Sequence, residues 1–156
     1  MPAALKLVDN PFAMRKFDTA DLSEHGAWLL PRLMQAYPHL NERAAATFLQ
    51  TIMYNNDYCF LYQRTGVALA QVMSAHTLDP KAIIYERFVW VKDREDKEQL
   101  KDAAEFYEEF HRWAKLQATD VIIVEENSDV PHDMIKEKLG RIFTRQQLFA
   151  KLCTTR

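Results

Sequence analysis

The chain has 156 residues, a size that suits one domain with a core of its own. Apolar residues at 48% and charged residues at 27% argue against a disordered chain, and a net charge of −2 with both signs mixed argues against a nucleic-acid footprint. Only three glycines are present, which leaves few places for backbone to approach a ligand closely and argues against a glycine-rich phosphate cradle.

The apolar stretches are far shorter than the roughly 20 residues needed to span a bilayer. Residues 1–10 carry one lysine and no small-residue cleavage site after an apolar core, so neither a signal nor a transit peptide is expected. Cys59 and Cys153 stand without a neighbouring Cys or His pattern, so they suggest neither a disulfide framework nor a zinc site. A cytoplasmic or similarly reducing compartment follows as the expectation.

Residues 1–13 read as an extended N-terminal arm and residues 14–156 as a single domain. A short strand is expected over 14–17, with Asp18 or Thr19 capping the helix that follows. Leu22, Ala27, Leu29, Leu30, Leu33, Met34 and Tyr37 keep helical spacing over 20–37, and Pro31 is expected to kink or restart that helix. Asn41 caps a second helix over 42–54, with Ala45, Phe48, Leu49, Ile52 and Met53 on one face.

Aromatic-rich residues 58–63, the turn Arg64-Thr65-Gly66, residues 67–75 and residues 82–91 read as three antiparallel strands in a row. A long helix is expected over 94–117, where Leu100, Ala103, Ala104, Tyr107, Phe110 and Ala114 form the apolar stripe. Residues 120–125 are a short buried strand, parallel to its predecessor because a helix carries the crossover. Pro131 opens a short helix that Gly140 closes, and residues 141–152 end the chain as a strand or tight hairpin.

The resulting class is α/β, an α+β mixed sheet in the order β-α-α-β-β-β-α-β-α-β. From residue 14 to about residue 152 this order resembles the GNAT (Gcn5-related N-acetyltransferase) superfamily, whose members share an acyl-CoA N-acyltransferase fold. Two local cues accompany it. Asn127 follows the fifth strand where the family often carries a cofactor-contacting Asn, and Lys138-Leu139-Gly140 resembles the end of the family's fourth helix.

The same resemblance exposes departures. The family's pyrophosphate loop is an Arg or Gln followed by two spaced Gly or Ala positions, whose free N–H groups cradle the anion at a helix N-terminus. Here the junction reads Val91-Lys92-Asp93-Arg94-Glu95-Asp96-Lys97-Glu98-Gln99-Leu100. With Arg94 matched to the signature Arg, the glycine positions hold Lys97 and Gln99, and three acidic residues would face the phosphates. Lys136 stands where many members carry a general-acid Tyr, and Arg141 where a Phe is usual.

Glu86, in the fourth strand, is the residue type the family uses to activate an amine through water. By strand alternation it would share a face with Ile84, Phe88 and Trp90, and His76 would lie at the same end of the sheet. The candidate catalytic residue is therefore Glu86, and the candidate cofactor-binding residues are Val91, Arg94 and Asn127. Small GNAT-like proteins of tailed phages, some of them internal to the virion, are similar in size and in an eroded loop. The resemblance thus implies a non-catalytic binding or structural module with a protein partner, other virion proteins included, and a virion-associated location beside the cytoplasmic one. No cofactor, metal, nucleic acid or membrane is expected. The alternative is an active N-acetyltransferase moving acetyl from acetyl-CoA to an amine.

Overall fold

The computed structural model describes residues 14–75, 81–116, 120–139 and 142–144. The N-terminal arm, His76, Gly140, Arg141 and Cys153 lie outside the described residues. In chain order the elements are β1 (Arg15–Lys16), α1 (Thr19–Ala36), α2 (Glu42–Met53), β2 (Tyr58–Gln63), β3 (Gly66–Ala75), β4 (Lys81–Val91), α3 (Lys97–Lys115), β5 (Asp120–Glu125), α4 (His132–Leu139) and β6 (Ile142–Thr144). That is the order read from the sequence, in a mixed α/β arrangement.

The caps explain where the helices begin. Asp18 accepts from Ala20 N and Asp21 N while Asp21 reaches back to the Asp18 N–H, a reciprocal capping box. Asn41 accepts from Ala44 N at 2.8 Å and opens α2. Pro31 neither breaks nor restarts α1, which runs through it as one helix. Proline leaves the Ala27 carbonyl without its usual donor, but Ala27 and Pro31 are both exposed, so the gap lies on the solvent side of the helix.

Among the described residues six strands form one sheet in the order β1-β2-β3-β4-β5-β6, antiparallel through β4, then parallel from β4 to β5 and from β5 to β6. The sheet separates two cores. Helices α1 and α2 bury Leu29, Leu33, Ala45, Leu49 and Ile52 against Phe60, Leu69, Phe88 and Trp90. On the other face α3 and α4 bury Ala103, Tyr107, Phe110 and Ile135 against Leu61, Ala70, Ile84 and Val89. No described helix is long and apolar enough to cross a membrane.

Strand β4 does not alternate evenly. Its register with β3 moves from Leu69↔Phe88 to Ala70↔Glu86, so Arg87 is the extra residue of a β-bulge. The bulge corrects the face expected for Glu86. Its carboxyl shares the α3 side with Ile84 and Val89, not the α1–α2 side with Phe88 and Trp90.

Gly66, which opens β3 after the two-residue turn Arg64-Thr65, lies tight against β4. A Cβ there would sit 2.5 Å from the Trp90 carbonyl oxygen, a backbone atom that cannot swing away. Gly66→Ala is expected to cost about 1–3 kcal/mol in urea unfolding, the range for overpacked sites. An unchanged midpoint would contradict this packing.

Candidate functional site

Strands β4 and β5 pair in parallel only from Lys81↔Asp120 to Tyr85↔Val124. β5 ends at Glu125 while β4 continues to Val91, so the place for a V between them is the C-terminal end of the sheet, beside the last residues of β4. In parallel sheets such an end is the usual place for a ligand. That place is taken by the chain's own segment 126–130, which continues from β5 alongside β4 in the same direction, with a parallel bridge Val89↔Ser128.

The occupation is bond by bond. Val89 N donates to Asn127 O at 3.3 Å, and Asp129 N donates to Val89 O at 2.9 Å. Val91 N donates to Asp129 Oδ2 at 2.9 Å. Arg32, reaching through from α1, donates to Val91 O at 3.0 Å and forms an ion pair with Asp129. Its guanidinium also lies 5.0 Å above the Trp90 ring. Asp129 is thus held by a cation and a main-chain donor at once, and the main-chain N–H groups of Val89 and Val91 are spent.

Glu86 sits beneath this segment and is fully buried. Its Oε2 accepts from Glu126 N and from Asn127 N, the latter at 3.1 Å. Among the described residues the Oε1 atom is buried without a hydrogen-bond partner, and the buried Tyr107 hydroxyl has Ser128 beside it. Burial pushes the Glu86 carboxyl up to about 8, aided by the charges of Glu125 and Glu126 and opposed by its two backbone donors. Tyr107 is raised well above the ordinary tyrosine range by burial, and next by the neighbouring Glu86.

At the start of α3 the carboxylates do structural work. Asp96 caps the helix, accepting from Glu98 N at 2.9 Å and Gln99 N at 3.4 Å. Asp93 accepts from Glu95 N at 3.0 Å, and its own N–H goes to Gln99 Oε1 at 2.8 Å. The helix begins at Lys97 rather than near Arg94, because Asp96 supplies the cap three residues later than expected. Arg94 is left on an exposed turn, and Lys97 is exposed as well.

The structure therefore brings Glu86, Val91 and Asn127 together along the filled V and leaves Arg94 outside it. Lys136 is exposed on α4. Sequence reasoning missed Asp129 and Arg32, the residues that close the V. A pairing across 97 positions has no local signal, although the short polar run Asn127-Ser128-Asp129 does mark a turn. It also missed Glu125 and His132, which pair at the foot of α4. Among the described residues no group of three His, Cys, Asp or Glu could hold a metal ion. A scan against protein-family models returns no match, and no curated protein matches the sequence.

Proposed function

We propose that this chain is a GNAT-like, acetyltransferase-like domain that no longer transfers acyl groups and acts as a non-catalytic binding or structural module on a protein partner. The observation that carries the reading is the filling of the V by segment 126–130. A thioester cofactor arm laid between β4 and β5 would need the N–H groups that Asn127 and Asp129 already hold. The α3 N-terminus supports the same reading, since its donors go to Asp93 and Asp96 and added phosphates would meet those carboxylates. A partner among the other proteins of a phage particle goes with the similarity to small phage proteins. A cytoplasmic location suits the chain before assembly.

One observation favours the second reading, an N-acetyltransferase using acetyl-CoA and an amine. Glu86 has a proton affinity near neutrality, which suits a general base. A base must reach its substrate, however, and Glu86 has no exposed surface.

Thermal unfolding with and without acetyl-CoA separates the two. A site with a dissociation constant of about 1 μM would add about 4 kcal/mol of stability at about 1 mM ligand, a shift of several degrees. The proposed reading expects no shift. A shift of that size would replace it with the enzyme reading, and acceptor screening with Glu86→Gln would follow.

A further inference from the structure

The bulge that turns Glu86 toward α3 sends the next side chain, Arg87, to the opposite side of the sheet. There Arg87 and Gln71 form the floor of a cavity of about 290 Å³ beside the α1–α2 connection, with Tyr37, Leu40, Phe48 and Tyr58 as walls. That volume is at the small end of ligand pockets, which run from about 300 to 1,000 Å³, and it fits one ring with a short polar group.

Arg87 is held in a fixed plane. Gln71 Oε1 accepts from both Nε, at 3.0 Å, and Nη2, at 2.7 Å. Gln71 stands on β3 and Arg87 on β4, so two neighbouring strands set the orientation. The remaining nitrogen, Nη1, reaches Glu126 Oε2 at 3.3 Å, and both side chains of that pair are about 30% exposed. A long ion pair between partly exposed side chains contributes little and can exchange. The Tyr37 phenol is kept neutral first by burial and next by the charge of Glu126. The Glu126 carboxylate therefore stands within electrostatic reach of both the floor and a wall of the cavity.

We propose that this cavity binds a small carboxylate bearing one aromatic or apolar group, with the carboxylate taking the place of Glu126 on Arg87. The guanidinium fork suits a carboxylate by shape as well as charge. Tyr37, Phe48 and Tyr58 supply the surface against which a ring is buried. A free aromatic acid and the C-terminal residue of a peptide present the same two groups. The inference concerns the α1–α2 side of the sheet and stands independently of what the V binds.

The test is an NMR titration of the full ¹⁵N-labelled chain, following the Arg87 Nε–H and the Gln71 amide. The ligands are N-acetyl-phenylalanine, its neutral amide, and a tripeptide ending in phenylalanine with a free carboxylate. The acid is expected to saturate with a dissociation constant of about 1 mM, and the amide to bind about tenfold more weakly or worse. Glu126→Gln, a substitution at a partly exposed side chain, is expected to tighten the acid several-fold by removing a competing carboxylate from Arg87. Arg87→Gln, checked for an intact melting transition, is expected to abolish the preference for acid over amide. Tighter binding of the tripeptide assigns the site to a chain end, and tighter binding of the free acid assigns it to a small molecule. Equal binding of acid and amide, no tightening in Glu126→Gln, or no shift at Arg87 at about 10 mM ligand would each overturn the proposal.

Discussion

Asp129→Ala is expected to be the most damaging single change at the closed V, with a loss of about 3–5 kcal/mol in denaturant unfolding. The reason is what it leaves behind. Asp129 has 6% of its side chain exposed and Arg32 14%, so removing the carboxylate strands a largely desolvated guanidinium. It also takes the acceptor away from Val91 N. At this chain length the melting temperature should fall by about 10 °C. Replacing both partners with apolar residues, as in Arg32→Met with Asp129→Leu, should recover much of the loss, because no uncompensated charge remains. A loss below about 1 kcal/mol for Asp129→Ala would mean that the pair behaves as a surface bridge and does not hold the V shut.

Glu86 is expected to make the protein less stable as pH rises from about 5 to 8. Its folded-state pKa, near 8, lies above the ordinary 4.5, so the folded chain holds the proton more tightly than the unfolded one. That stability is complete below about 4.5, declines as pH rises through about 8, and is absent above it. The full span is about 3–5 kcal/mol. His25 acts with the opposite sign. Burial lowers its pKa, so its contribution is present above about 6.5 and is lost on the acid side. Comparing wild type with Glu86→Gln cancels the His25 part. The variant should lose the decline between pH 5 and 8 and should match or exceed wild type at pH 8, since its carbonyl still accepts the two backbone N–H groups. Parallel stability curves for the two proteins would show that Glu86 is ionised throughout.

Much of the fold was legible because its signals are local. Of the two cap candidates Asp18 and Thr19 the structure uses Asp18, Asn41 marked its helix, the turn Arg64-Thr65-Gly66 marked the hairpin, and the apolar stripe of α3 stands where its spacing placed it. Where the elements differ from the expected ones, the causes are also local. Pro31 does not restart α1, because it sits on the solvent side, where an unpaired carbonyl is tolerated, and a sequence does not say which side of a helix faces water until its partners are known. The bulge at Arg87 moved Glu86 to the other face, because a period of two holds only while no residue is inserted.

The candidate site was legible by residue type but not by arrangement. Glu86 was picked as a candidate base in the fourth strand, and the structure shows it buried there. That its carboxylate would accept two backbone N–H groups from residues 40 and 41 positions later is a product of the tertiary fold. The lack of glycine at the β4–α3 junction and the presence of Asp93 and Asp96 there were visible directly, as facts of sequence. The closing of the V was not visible, because Arg32 and Asp129 meet only once α1 has packed on the sheet.

The most direct test of the filled V is amide hydrogen exchange at Val89 and Val91, with and without about 1 mM acetyl-CoA. Both amides should exchange slowly in the free chain, bonded as they are to Asn127 and Asp129, and acetyl-CoA should leave their rates unchanged. Fast exchange in the free chain, or new protection on adding acetyl-CoA, would show that the V is open to a cofactor and would contradict the account.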